Sequence, residues 1–516
     1  MTEGWAVAQL KDLVAFVIGG DWGKAPDFES PDYVDVLCFR GTELREWKSE
    51  RGASAAPRKI KKTSLQSRQL KVGDLILEIS GGGPDQPVGR VELIDKRAMA
   101  HHGDTPRICT NFFRKIEVKD GVESAYLSNY LKFFYVSGAI NNYQAGSNNL
   151  RNLNYTEYET IEVPLPPLNE QRRIVDRIEV LFAQLDKGDE ALCAVQKQLT
   201  RYRQSVLKAA VNGQLTADWR AENADRLEHG RDLLARILRA RRETFNGRGK
   251  YKEPADLHIA DYPELPDTWT WASVEQVVGV FGNGLSRQPA GHETPFPILR
   301  ISAVRPMKVD MGDRRFYLPE PKEDLSSYRV QRGDLLFTRY NGSGHLVGVC
   351  GLVRSDAPTL HPDKLIKARP VSNELTNLDY LELAWNSGLT RRHIEANTKT
   401  TSGQKGIAGS DIKAAPFPLP PVEEQNEIAR RVGEALANIQ IATLMCQSEL
   451  ARSTALRQSI LKDAFTGRLV AQNPDDEPAA DLLTRIKAAS GAKLTRRSKG
   501  AAERAARQAD PKGIMS

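Results

Sequence analysis

Residues 51–71 contain Arg51, Arg58, Lys59, Lys61, Lys62, Arg68 and Lys71, with no Asp or Glu among them and with Ser and Thr interleaved. Such a run can follow a phosphate backbone, because each cation that neutralises a phosphate releases a condensed counterion. A solvated loop is the plainer reading of the same residues. Further along, Arg339-Tyr340-Asn341 sets an Arg and an Asn side by side. The Arg fork matches guanine O6/N7 and the Asn amide matches adenine N6/N7 in a major groove. Asn341-Gly342 also suits a plain turn, chosen for its backbone angles. Two polar loops offer the same kinds of group, one through Ser147, Asn148 and Asn149, the other through Lys399, Gln404 and Lys405.

Bond-making chemistry is not legible. The chain has no GxxxxGK(S/T) loop for a nucleotide. It also lacks the (N/D)PP(F/Y) of an adenine methyltransferase, since Asn473-Pro474-Asp475 has no aromatic to stack an extruded base. Pro31-Asp32 with Glu46-Trp47-Lys48 fits the loose PD…ExK nuclease pattern, a match short enough to arise by chance. Phe281-Gly282-Asn283-Gly284 reads as a turn rather than a cofactor loop. His101-His102 has no Cys or His spaced to complete a metal site.

These groups are positioned by something that occurs twice. Residues 164–215 align without a gap on residues 418–469, 254 positions later, and 18 of the 52 positions are identical. Solenoid repeats run to roughly 20–50 residues, so a period this long is a whole module duplicated. Each copy opens on tryptophan (Trp5; Trp269 and Trp271). About 150 residues of β-rich character follow, in which short apolar runs at 34–39, 75–79, 297–301 and 335–338 are broken by Gly, Pro, Asn and Asp. Lys71-Val72-Gly73-Asp74 and Gln331-Arg332-Gly333-Asp334 mark the same turn into a buried strand, and Ser80-Gly81-Gly82-Gly83 and Asn341-Gly342-Ser343-Gly344 follow it.

Each module ends at Pro-Leu-Pro-Pro (164–167, 418–421), which holds the chain extended until a helix can begin. Asn169, Glu170 and Gln171, and Glu423, Glu424 and Gln425, suit a first helical turn, while Gly213 and Gly467 suit C-terminal caps. Between them the spacing predicts a helix of about 40 residues, roughly 60 Å long. The apolar seam falls on Ile174, Ile178, Leu181, Leu185, Leu192, Val195, Leu199, Tyr202 and Val206 in the first copy. In the second it falls on Ile428, Val432, Ala435, Ile439, Ala442, Cys446, Glu449, Ser453, Leu456 and Ile460. The match in sequence and length favours the two helices pairing antiparallel, against two amphipathic helices each packed on its own domain. A second helix follows each, at Asp232-Leu-Leu-Ala-Arg-Ile237 and Asp481-Leu-Leu-Thr-Arg-Ile486.

The order of β-rich module, PLPPxxEQ helix and closing RQS(V/I)LKxA(V/F)xGxL, all then repeated, resembles the specificity subunits of type I restriction–modification systems. The resemblance implies an α+β fold: two β-rich α/β target recognition domains, separated by two long helices pairing as an antiparallel coiled coil with an internal pseudo-twofold repeat. Residues 1–163 and 263–417 are then the first and second recognition domains, 164–262 and 418–490 the helical spacers, and 491–516 a basic tail. It also implies a non-catalytic subunit that binds double-stranded DNA at a split, asymmetric target. Two methyltransferase subunits dock on it, and restriction subunits add to that core. No cofactor is expected in this chain; S-adenosylmethionine, ATP and Mg²⁺ belong to the partner subunits. The alternative from another class is a coiled-coil protein-interaction scaffold without sequence-specific DNA binding.

Composition sets the remaining expectations. Of the net charge of +7, six come from residues 487–516, so the body is almost neutral and its overall charge says little about partners. The five cysteines (Cys38, Cys109, Cys193, Cys350, Cys446) show no CxxC pairing and read as reduced thiols. With no apolar run of membrane-spanning length and no signal-like N-terminus, a cytoplasmic location is expected.

Overall fold

The structure is a computed structural model that describes residues 3–83, 86–101, 103–147, 150–246, 249–401 and 404–488. The chain forms two compact units, Met1–Leu192 with Ser448–Ser516, and Cys193–Gln447. The basic tail, His102, Asn148 and Asn149 lie outside the described residues, as does the Ser147 side chain.

In the first unit a two-stranded sheet joins the opening strand Ala6–Gln9 to the closing strand Glu162–Leu165, antiparallel. A four-stranded antiparallel sheet runs Val14–Gly19, Phe113–Val118, Leu75–Glu78, Val91–Leu93 from edge to edge. A three-stranded sheet runs Ala56–Lys61, Tyr33–Phe39, Arg107–Cys109, its last pair parallel. A small ribbon runs Ser80–Gly82, Leu150–Leu153, Gln144–Ser147.

The second unit repeats three of these sheets, has four strands where the first has a three-stranded sheet, and adds a short pair, Val304–Arg305 with Lys308–Val309. Thr270–Ser273 pairs with Pro416–Leu419. The four-stranded sheet runs Val278–Asn283, Leu365–Pro370, Leu335–Thr338, Cys350–Leu352. Its neighbour runs Arg314–Phe316, Pro297–Leu299, Thr359–Leu360, Arg329–Val330 with the middle pair parallel. The ribbon runs Tyr340–Asn341, Gln404–Gly406, Lys399–Thr401. The turn expected at 281–284 is instead the end of a strand. Gly284 follows the strand's last residue, Asn283, where an added Cβ would lie 2.0 Å from the His361 carbonyl oxygen.

Contacts recur with the sequence repeat. Tyr126 and Tyr380 donate to the carbonyls of Pro164 and Pro418 (2.8 and 2.7 Å). Gln171 donates to the Pro166 carbonyl and accepts from the Glu123 amide. Gln425 does the same with Pro420 and Asn377. The preceding carboxylates, Glu170 and Glu424, accept from the indoles of Trp5 and Trp269 (3.0 and 2.8 Å). Thus the PLPPxxEQ motif ties the start of each long helix to the first and last strands of a module. The proline carbonyls are free for this duty because proline keeps the chain out of helix there.

The two clamps differ in charge. Glu424 also accepts from Thr216 Oγ1 at 2.7 Å and from Arg220, a buried ion pair. Among the described residues no arginine bonds to Glu170; Arg173 pairs instead with Asp476 at 2.7 Å. Burial raises the Glu170 carboxyl above its ordinary value, with the Trp5 hydrogen bond opposing.

Each long helix has 44 residues, Leu168–Val211 and Val422–Phe465, and ends on a left-handed glycine, Gly213 or Gly467. The division between the units falls within both helices. In the first unit Arg457 pairs with Asp186 and Asp189 (2.5 and 2.9 Å) and lies over the Phe182 ring, while Leu461, Ala464 and Phe465 join the core of Ile174 and Ile178. In the second, Arg431 reaches Asp218 and the Leu215 carbonyl, and Val206, Ala210 and Val211 share a core with Ile428 and Val432. Both sets of contacts run antiparallel.

The seam differs from the heptad reading. Val195 and Tyr202 are 40% and 54% exposed, Leu456 is 42% exposed, and Glu449 also faces outward. Leu450 and Arg457 take the half-buried positions one residue on. A straight helix drifts about 20° per heptad against a strict seven-residue repeat, and here the buried line absorbs the drift by stepping one residue.

Helix 479–488 buries Leu482 and Ile486 in the first unit, and Gly230–Glu243 buries Leu233 and Ile237 in the second. The first unit is therefore completed by the C-terminal part of the chain, which also bonds back through Ala479 to Gly4 and Lys487 to Asp12.

The unequal clamps give a stability test. Glu424→Gln strands a buried guanidinium and should cost about 3 kcal/mol. Glu170→Gln keeps an acceptor for Trp5 and should change stability by less than about 1 kcal/mol at pH 7. Because the Glu170 carboxyl is raised, its ionisation opposes folding. Wild type should therefore lose stability relative to Glu170→Gln as pH rises through and above the usual carboxylate range. Urea unfolding of the purified variants across pH checks both, and equal losses at pH 7 would contradict the contrast.

Candidate nucleic-acid interface

The first module's basic run is ordered structure, strand Ala56–Lys61 followed by helix Lys62–Arg68, and not the solvated loop that was its plainer reading. Strand geometry divides the cations. Arg51, left-handed at φ 46°, pairs with Asp95 at 3.7 Å. Arg58 donates from Nε to the Trp22 carbonyl at 2.9 Å and lies 4.1 Å over that indole. Lys59 faces Asp35 at 3.7 Å. Arg68 donates to the Gly19 carbonyl at 2.9 Å and to Ser64, whose hydroxyl donates to Asp21 at 2.6 Å. Lys61 and Lys62 are exposed, and among the described residues their ammonium groups have no ion-pair partner.

Beside this strand the structure adds groups that the run alone did not reveal. Trp22 and Phe28 are exposed aromatics, and Lys24, exposed too, sits 5.9 Å from the Phe28 ring. The backbones of Lys24 and Lys59 form an antiparallel bridge, so Gly23 and Lys24 lie alongside the basic strand. The sequence signal was an aromatic in a glycine-flanked stretch, Gly20-Asp21-Trp22-Gly23-Lys24. A stacked Arg over Trp with lysines to either side is the kind of surface that meets phosphate and base faces.

In the second module the two polar segments converge. Tyr340 stands opposite Gly406 and Asn341 opposite Lys405, while Lys399 and Thr400 face Gly406 and Lys405 from the far side. Gly406 has a steric reason: an added Cβ would lie 2.5 Å from Tyr340 Cδ1, so the ring rests on bare backbone. Arg339 lies 4.9 Å over that ring. Asn341 accepts through Oδ1 from the Ser343 amide at 3.0 Å, which commits half of its amide to the turn.

The first module's ribbon brings Ser80–Gly82 beside Leu150–Leu153 and Gln144–Ser147 in the same way. Gln144 is structural here, clasping the backbone of Val88 from both sides at 3.0 Å.

Among the described residues no three His, Cys, Asp or Glu side chains come together as a metal site. Within the PD…ExK pattern, Lys48 is tied to Asp186 at 2.5 Å. Burial pushes His361 down to about 4, so it is neutral at pH 7, and its Nδ1 meets the Tyr328 carbonyl at 2.7 Å. Burial pushes the Cys109 thiol up to about 12 and raises Cys38 and Cys350 as well, leaving none of the three a ready thiolate.

Residues 2–191 match the family model of the type I restriction modification DNA specificity domain. The EcoKI type I restriction enzyme specificity subunit of Escherichia coli is 32% identical over 517 residues, covering 97% of this chain and 99% of that one. The StySPI specificity subunit of Salmonella potsdam is 27% identical over 97% of this chain and 99% of its own length. A chain from a solved type I restriction–modification complex shares the fold, with a TM-score of 0.60 at 16% identity over 91% of this chain and 99% of that one. The chain belongs to the family of type I restriction enzyme specificity subunits.

Among the first-module cations, Arg68→Ala should lower stability by about 1–2 kcal/mol through its lost hydrogen bonds. Lys61→Ala and Lys62→Ala should stay within about 0.5 kcal/mol of wild type. Urea midpoints distinguish them, and a large loss at Lys61 or Lys62 would show that those side chains are committed to the fold.

Proposed function

We propose that this chain is the DNA sequence-specificity subunit of a type I restriction–modification complex, without catalysis of its own, and that it binds a bipartite asymmetric target. Residues 1–163 read one half-site and residues 263–417 the other. The helical regions 164–262 and 418–490 set the number of unread base pairs between them and dock two methyltransferase subunits, to which restriction subunits add. S-adenosylmethionine, ATP and Mg²⁺ are held by those partners, and the complex works in the cytoplasm.

The observation that carries this reading is the repeat itself: the strand pair that closes each module, the four-stranded sheet and the ribbon are built twice with the same strand order, while the remaining sheet and the loops differ. A binder of one repeated object would keep its contact residues; this one keeps its clamps and changes its ribbons. The full-length likeness to the EcoKI specificity subunit supports the same reading. In the first module Lys61 and Lys62 contact phosphate, Arg58 with Trp22 lies beside them, and Arg51, Lys59 and Arg68 hold the surface in shape.

Single-molecule sequencing of adenine methylation in the host, with and without this chain, tests the proposal. One split motif should lose methylation when the chain is absent; an unchanged methylome would contradict the role. Exchanging residues 263–417 for a foreign module should change one half of that motif and leave the other intact. A change in both halves would overturn the division of labour.

A further inference from the structure

Residues 339–345 and 398–407 contain Arg339, His345, Lys399 and Lys405 but no Asp or Glu. The fold brings Tyr340–Asn341, Lys399–Thr401 and Gln404–Gly406 of these segments onto one three-stranded ribbon. Among the described residues no carboxylate pairs with Arg339, Lys399 or Lys405. The adjoining sheet is different: there Arg369 is paired with Asp334 at 2.6 Å, and Arg354 with Glu382 at 2.7 Å. The ribbon thus presents three cations that have no carboxylate partner among the described residues.

Arg339 is the best prepared of these. Its backbone is held on both sides, the amide donating to Lys364 at 2.8 Å and the carbonyl accepting from Ile407 at 3.0 Å. Its guanidinium stacks on Tyr340, the Tyr340 ring is backed by Gly406, and Nε is buried without a hydrogen-bond partner among the described residues. A guanidinium stacked in this way loses little further freedom when it binds a planar, two-acceptor edge. Gln404 is exposed, and its amide makes no hydrogen bond among the described residues. On the opposite face of the ribbon, the Lys405 stem runs across Gly344, where an added Cβ would meet Lys405 Cδ at 2.8 Å. Asn341, whose carbonyl caps the turn, cannot offer adenine the full donor–acceptor pair.

Resting on the DNA-reading role above, we propose that the ribbon of Tyr340–Asn341, Gln404–Gly406 and Lys399–Thr401 is the base-reading element of the second module. Arg339 and Gln404 read base edges, while Lys399 and Lys405 contact the flanking phosphates. A β-ribbon is of a width that a major groove admits, and Arg and Gln match guanine and adenine edges there. The first module supplies an internal comparison. Its ribbon has the same strand order but carries Ser80, Gly81 and Gly82 where the second has Tyr340 and Asn341. The same strand order with exchanged side chains is what two different half-sites demand.

The test uses the assembled complex with its methyltransferase subunits, bound to duplexes containing the target motif and single-base changes of it. Arg339→Lys keeps the charge and removes the fork, and Gln404→Ala removes an exposed amide that the fold does not use. Each should reduce discrimination at one base pair of the second half-site by roughly 10- to 100-fold, with the first half-site unaffected. Lys399→Ala and Lys405→Ala should weaken all sequences alike, each lowering the slope of log affinity against log salt by about 1. If wild type reads a split motif and all four variants read it with unchanged discrimination and salt slope, the ribbon assignment is overturned while the specificity role stands. If the wild-type complex has no split motif, the specificity role itself fails.

Discussion

Everything in this fold depends on a glutamine at the start of each long helix. Gln171 and Gln425 each hold a proline carbonyl with the amide nitrogen and a loop or cap amide with the carbonyl, in sites that are fully buried. A buried amide left half-satisfied costs about 1–3 kcal/mol, so the two bonds are made together or the turn does not form. With a tryptophan–glutamate bond one residue earlier, the clamp ties the start of each long helix to the module it leaves.

The duplication was open to sequence reading because it is written in residues with narrow jobs. Proline before the helix, Glu-Gln in its first turn and glycine after its end fix the element and its limits, and the structure has all three. Their deeper use was hidden: Glu170 and Gln171 read as favourable charge and polarity at a helix end, whereas their work is done against strands and loops about 50 to 165 residues away in sequence. The seam was legible in outline only. Strict seven-residue spacing put Val195, Tyr202, Glu449 and Leu456 inside, and the 3.6-residue turn carried them out.

The surface was harder still. A run of seven cations looks uniform as a string, but strand pleating and the helix that follows sort four of them onto Asp95, Asp35, Ser64 and the Trp22 ring, while Lys61, Lys62 and Lys71 make no ion pair among the described residues. Trp22 and Lys24 became visible only when the structure paired Lys24 with Lys59 across the sheet. Arg339 and Gln404 are 65 positions apart in sequence and share a ribbon only because the strand register places them there. What a sequence cannot announce is adjacency made by long-range pairing, and that is where the modules differ most.

If the clamps and paired helices hold the two modules at a set separation, then the length of the helices decides the length of the unread gap in the target. The most direct measurement is the methylated motif made by a chain with a matched seven-residue insertion in each long helix, two turns that keep the seam in phase. The account predicts the same two half-sites with a longer spacer between them. An unchanged spacer with both half-sites intact would show that the helices are not the ruler.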